Sequence, residues 1–327
     1  VSKQAGTIQH MSNYFYCSQA SDLAEKLCTL TGLSKVCFGN SGAEANECAI
    51  KIARKYSFDK YGEGRNEIVT LNNSFHGRTV TTLAATGQDV FHNYFFPFTE
   101  GFKYADADDM DALKAVVSDK TCAVMLELIQ GEGGVNILDK DYVQSLVKFC
   151  NEKDILVIVD EVQTGAGRTG KLFAFQNFEV KPDIFTVAKG IGGGLPIGLC
   201  VCGEKLKDVM SPSTHNHHEY DFPGRQCSLA DSVDQTIIKY SYFFIKRKVR
   251  PACDPQIDGV KSVRRMGLMI GIELKDGDAH DIAAKCVENG LIIITAKSLL
   301  RMLPPLNITK KEIDLALDIL EKTLKEN

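Results

Sequence analysis

The sequence has no C-x-x-C pair, no apolar run long enough to span a bilayer, no excess of basic charge, and no internal repeat or low-complexity tract. Each absence removes a class of protein. A membrane helix needs about 20 consecutive apolar residues, so none is expected here. Lysine and arginine total 38 against 42 aspartates and glutamates, a net charge of −4. General affinity for nucleic acid or an anionic membrane is therefore not expected. The 11 cysteines are odd in number and scattered, mostly in apolar surroundings, as at Cys28, Cys48, Cys150 and Cys286. That pattern reads as reduced, buried thiols of a cytoplasmic protein. Cys200 and Cys202, one residue apart on an expected strand, should share a face and pack in the core. No signal peptide opens the chain, and Val1 reads as an internal residue, so targeting is not judged from that end.

What is present suits a globular enzyme. The 327 residues are 44% hydrophobic and 24% charged, enough for one large domain and a smaller one. Residues 123–128, 155–159, 184–188 and 198–202 are apolar on both faces, as strands buried in a parallel sheet are. Helical patterns lie between them, notably over 142–153, which predicts an α/β domain whose strand ends gather polar groups in one crevice. The character changes after about residue 235. Residues 263–274 read as one strand with Gly267 and Gly271 allowing a bend, 281–289 as a helix and 291–295 as a strand. Thr309 and Glu312 form a capping box opening a last helix over 309–325.

Several constellations carry chemistry. Lys189 follows an apolar strand and precedes glycines that permit close approach, a setting for a lysine that attacks a carbonyl. Asp160 ends another apolar strand, and a buried carboxylate needs a positive partner. A buried lysine amine and a buried aspartate can serve one pyridoxal phosphate, the amine linking to it and the carboxylate holding its ring nitrogen protonated. Val162 can then pack on the ring and Gln163 reach the phenolic oxygen. Ser41 and Glu44 read as a capping box, which leaves the N–H groups of Gly42 and Ala43 for an anion or describes an ordinary capped helix. Phe75, beside His76 and Gly77, can lie flat on a planar ring, and Arg78 can clamp a carboxylate or stand solvated. Glu127 suits a polar network under a cofactor; Glu132 suits a partner for a substrate-binding arginine or a solvated loop.

Together these motifs resemble the class III pyridoxal-phosphate aminotransferases, in particular the acetylornithine and ornithine types. The carriers are the runs 40–46, 75–79, 129–134, 160–170, 188–198 and 300–306, Leu-Arg-Met-Leu-Pro-Pro-Leu. The likeness covers about residues 5–207 and 259–325. It implies a type I pyridoxal-phosphate fold, α/β and aspartate aminotransferase-like. A large cofactor-binding domain with a mostly parallel sheet would span 1–235 and a small α+β domain 236–327. It also implies a homodimer with active sites at the subunit interface. Lys189 becomes the Schiff-base lysine and proton carrier, and Asp160 the partner of the ring nitrogen. Val162 and Phe75 sandwich the ring, and Gly42 and Ala43 bind the phosphate. Ser41, His76, Glu127 and Gln163 complete the cofactor-binding set. Arg78 and Arg301 take substrate carboxylates, Glu132 pairs with Arg301, and Tyr16 lies near the substrate entrance.

The chain departs from the family over 213–258. Members carry a threonine there that reaches the partner subunit's cofactor phosphate; by length His218 falls near that place and Pro223 on the proline beyond it. His215, His217, His218, Glu219 and Asp221 match no metal template, so no metal is expected. By the same resemblance, the N-terminal segment that members add to the small domain is not expected in this sequence. The resemblance implies transfer of the ω-amino group of N-acetylornithine to 2-oxoglutarate, in arginine biosynthesis. Ornithine, succinylornithine, 4-aminobutyrate and lysine-pathway semialdehydes are alternative substrates. A pseudo-enzyme retaining the fold is the non-enzyme alternative. NAD(P) binding at Gly190–Gly194 is disfavoured, since Pro196 comes soon after and no long helix begins there.

Overall fold

The computed structural model describes residues 1–8, 17–210 and 257–326. Thirteen strands are described: β1 (Lys35–Gly39), β2 (Glu67–Leu71), β3 (Phe102–Ala105), β4 (Thr121–Leu126), β5 (Ile129–Gln130), β6 (Asn136–Ile137), β7 (Leu156–Asp160), β8 (Ile184–Val187), β9 (Gly198–Cys202), β10 (Val260–Met266), β11 (Met269–Leu274), β12 (Ile294–Ala296) and β13 (Leu299–Met302). Seven form a large sheet in the order β1-β9-β8-β7-β4-β2-β3.

Strands β4, β7, β8 and β9 are buried at every position because both faces of the sheet are covered. Alternation along each strand assigns the faces. Val124, Leu126, Val157, Val159, Phe185 and Val187 pack into one cluster with Leu146 and Cys150 of the helix Lys140–Glu152. Ala123, Met125, Leu156, Ile158 and Ile184 pack into the other, against Cys48, Ala49, Ile52 and Ala53 of the helix Gly42–Tyr61. Continuing that parity puts Asp160 and Thr186, which pair across β7 and β8, on the side of the helix Gly42–Tyr61.

Strand β9 runs antiparallel to both neighbours, where a parallel strand is expected. It reads as a parallel core strand because it is central and buried on both faces. The chain turns back after Lys189 and lays β9 directly beside β8, Val187 opposite Leu199. Gly198 is needed there: a Cβ on it would come within 1.9 Å of the Ser41 carbonyl oxygen. Cys200 and Cys202 share a face as expected.

A second, four-stranded antiparallel sheet has the order β10-β11-β13-β12 and packs on the helices Ala279–Glu288 and Lys310–Lys325. The single strand expected over 263–274 is a hairpin. Gly267, at φ 59°, makes a two-residue turn with Leu268 between Met266 and Met269, a conformation glycine adopts without cost. Its Cβ would also lie 2.5 Å from the Arg168 carbonyl oxygen, and the Leu268 N–H donates to that oxygen at 2.8 Å. The strand expected over 291–295 is shifted and shorter, as β12 at Ile294–Ala296. The Thr309–Glu312 capping box is present. The boundary at residue 235 falls outside the described residues.

Eight described cysteines are free, six of them buried. Cys17 departs from the expectation of reduced thiols, being disulfide-bonded. Among the described residues no helix is long and apolar enough to cross a membrane.

Candidate active site

Five of the six parallel strands, β1, β2, β4, β7 and β8, end at one edge of the large sheet, and antiparallel β9 begins there. Asp160 is the last residue of β7, the segments that leave the other four strands carry Ser41, Phe75, Glu127 and Lys189, and all five residues line one cavity of about 290 Å³. Gly42, Ala43, His76, Val162 and Gln163 line it too, so the crevice gathers ten of the eleven residues expected at a cofactor. The eleventh, His218, lies outside the described residues, as do Tyr16 and the polar stretch 213–224.

Ser41 caps the helix Gly42–Tyr61, its hydroxyl accepting from the Glu44 N–H at 3.2 Å. The expected reciprocal bond is displaced by one residue: the Glu44 carboxylate reaches back to the N–H and side chain of Asn40 instead of Ser41. A Cβ on Gly42 would sit 2.6 Å from a Val162 methyl, so the helix N-terminus and Val162 approach each other closely only because residue 42 is glycine.

Asp160 is 3% exposed. Its Oδ1 accepts from the Val162 N–H at 2.9 Å; its Oδ2 accepts from Asn46 Nδ2 at 2.8 Å and lies 2.8 Å from His76 Nδ1. His76 is buried, and its Nε2 has no hydrogen-bond partner; the same holds for Gln163 Oε1. Glu127 ties two backbones together, accepting from the Phe75 N–H at 2.8 Å and the Gly131 N–H at 3.2 Å. Burial, with the charge of Asp160 acting in the same sense, pushes its carboxyl up to about 7 against the pull of His76 and those two N–H groups.

Lys189 stands on the turn after β8 with φ 50°, an uncommon conformation for a non-glycine residue. It is exposed, not buried as expected, because it follows the strand end and opens onto the cavity. The glycines after it form a short 3-10 turn, Lys189–Gly192, and no long helix.

Arg301, on β13, is 5% exposed and donates to Glu132 Oε1 at 2.8 Å, while its Nε has no partner. This pair and exposed Arg78 lie outside the cavity lining. Sequence reasoning missed Asn46 and Thr186. Asn46 alone left a hint that its amide is bonded, though not to what: it is an asparagine inside a helix, beside an apolar face, where asparagine is unfavourable unless its amide is bonded.

The described residues contain no cluster able to hold a metal ion. The donor set instead suits an organic anion with a planar ring: a helix N-terminus, an aromatic, a carboxylate held by donors, and a lysine.

Comparison with known proteins agrees. The family model "Aminotransferase class-III" matches residues 1–224 and 231–324. The chain is 44% identical over 331 residues to an acetylornithine aminotransferase of Haemophilus ducreyi, covering 99% of this chain and 83% of the relative. It is 43% identical over 338 residues to one of Methanocaldococcus jannaschii, covering 100% and 83%. Among solved structures, an ornithine aminotransferase of Toxoplasma gondii superposes with a TM-score of 0.88 at 30% identity, over 99% of this chain and 80% of that one. An N-acetylornithine aminotransferase of Stenotrophomonas maltophilia gives 0.83 at 32% identity, over 99% and 84%.

Proposed function

The chain belongs to the class-III aminotransferases, and on that footing we propose that it uses pyridoxal phosphate to move the ω-amino group of N-acetylornithine to 2-oxoglutarate. The products would be N-acetylglutamate semialdehyde and glutamate, a step of arginine biosynthesis. The observation that carries the reading is the meeting of Lys189, Asp160 and the capped N-terminus at Ser41–Ala43 in one cavity, in a chain that also pairs Arg301 with Glu132.

The residues fit the cofactor on the structure's own terms. The N-terminus of the helix Gly42–Tyr61 offers N–H groups where only glycine and alanine stand, apt for the phosphate. The buried, unpartnered Nε2 of His76 and Oε1 of Gln163 belong to residues lining a cavity that a polar ring would fill. When bound, pyridoxal phosphate supplies an aldehyde to capture an amine and a ring that accepts electrons.

The chain's own residues do the rest. Gly42 and Ala43 would bind the phosphate. Phe75 and Val162 would hold the ring between them. Asp160 would keep the ring nitrogen protonated, its own charge held by three neighbours. Lys189 would supply the amine that holds the cofactor and would move the proton at the substrate carbon bearing the amino group. Arg78 and Arg301 would take substrate carboxylates, with Glu132 covering Arg301 when the substrate brings only one. Tyr16 and His218 are proposed for the substrate entrance and the phosphate across the dimer.

We place the enzyme in the cytoplasm as a homodimer acting on small molecules, with no nucleic acid or membrane partner. The exposed run Tyr94, Phe95 and Phe96, with Val90, supports a second copy covering this face. The boundary between the domains is proposed at residue 235. The direct test is glutamate formation from 2-oxoglutarate with acetylornithine, ornithine, succinylornithine and 4-aminobutyrate as donors. Acetylornithine should give the highest kcat/KM. Turnover with another donor alone would reassign the substrate, and no turnover with any donor would overturn the reading.

A further inference from the structure

Asn46 makes three hydrogen bonds, and their chemistry leaves it one orientation. Its Nδ2 lies 2.7 Å from the His76 carbonyl oxygen, which only accepts, so the amide NH₂ must face it. The second N–H of that group then donates to Asp160 Oδ2 at 2.8 Å, and Oδ1 accepts from the Thr186 hydroxyl at 2.6 Å. Asn46 and Thr186 are buried, as is Asp160, so none of these bonds is shared with solvent. An N–H aimed at Oδ2 accommodates an acceptor and clashes with a carboxylic acid hydroxyl on the same oxygen. His76 Nδ1 addresses Oδ2 as well, and the Val162 N–H addresses Oδ1. Oδ1 retains acceptor capacity for one further N–H.

The placement adds meaning. Asn46 stands one helical turn after Gly42, on the same helix whose N-terminus lines the cavity. One rigid element therefore carries both a phosphate-type anchor and a grip on the carboxylate that lines the same cavity. Thr186, on β8, ties that grip to the sheet beside Asp160.

We propose that Asn46, oriented by Thr186, is a positioning residue that holds Asp160 as an acceptor aimed at a protonated ring nitrogen. The inference rests on the reading of the cavity as a pyridoxal-phosphate site. Other titratable groups around Asp160, namely His76, Glu127, Glu161 and Lys189, are left unchanged by the variants that test it.

The test is binding to cofactor-free protein by absorbance or fluorescence titration. The two probes are pyridoxal phosphate and its analogue with C–H in place of the ring nitrogen. Asn46→Leu should weaken pyridoxal phosphate about tenfold, the loss of one hydrogen bond to a charged group, and the analogue less than about twofold. Thr186→Val, which keeps size and branching and lies outside the cavity lining, should show the same selectivity at about threefold. It is the deciding variant if Asn46→Leu does not fold. Equal weakening of both probes, or of neither, by the variant that folds overturns the role of Asn46. A wild-type protein that binds neither probe overturns the reading of the cavity itself.

Discussion

Glu161 follows Asp160 in the chain and is fully buried. Its Oε1 accepts from the Phe175 N–H at 2.8 Å and its Oε2 from the Thr164 hydroxyl at 2.5 Å, which closes the loop between β7 and the helix Phe175–Phe178. Burial pushes its carboxyl up from 4.5 to about 7, against the bonds from Thr164, Ala174 and Phe175; the charge of Asp160 adds to the rise. Between pH 4.5 and 7 the folded chain thus holds a proton that the unfolded chain has released. Stability is full below pH 4.5 and is lost as pH rises through about 7. A rise of about 2.5 units at 1.36 kcal/mol each gives about 3 kcal/mol. Glutamine keeps the acceptor for Phe175 and offers an N–H to the Thr164 hydroxyl without titrating. Glu161→Gln should therefore differ from wild type by no more than about 1 kcal/mol near pH 5 and exceed it by up to about 3 kcal/mol at pH 8. Glu127, raised to about 7 in the same direction, keeps a residual slope in the variant. Urea unfolding of cofactor-free protein across pH 5–8 measures this. Parallel curves for the two proteins would refute the assignment of a proton to Glu161.

The site yields three further expected outcomes. Gly42→Ala should drive a methyl into Val162, destabilise the protein by about 1–3 kcal/mol and weaken cofactor binding, read by thermal denaturation and titration. Glu132→Ala should uncover Arg301 and raise kcat/KM for glutamate relative to acetylornithine by about tenfold, seen by comparing the two half-reactions. Lys189→Ala should still bind pyridoxal phosphate while amino transfer falls at least about 100-fold, measured by equilibrium dialysis and steady-state assay.

Much of the candidate site was legible because its residues stand at or just after the ends of strands whose burial is written in composition. Ile-Leu-Val-Ile-Val before Asp160 and Ile-Phe-Thr-Val-Ala before Lys189 declare buried strands, and the segments leaving such strands meet at one sheet edge. Strand direction was not legible at 198–202, since burial on both faces looks the same for a central antiparallel strand. The hairpin at Gly267 resembles a bend in one strand because its two arms, apolar and alternating, run together across a two-residue turn. Asn46 and Thr186 were missed for a different reason. Each is polar within an otherwise apolar face, and only the three-dimensional pairing of β7, β8 and the helix Gly42–Tyr61 reveals that they serve Asp160.

In the proposed function this cavity binds pyridoxal phosphate through Lys189 and passes amino groups from N-acetylornithine. The absorption spectrum of the purified protein, repeated after adding N-acetylornithine, tests it most directly. The expected result is a visible cofactor band that N-acetylornithine converts to the pyridoxamine form and 2-oxoglutarate restores. No band even with added cofactor, or a band that no ω-amino donor alters, would contradict it.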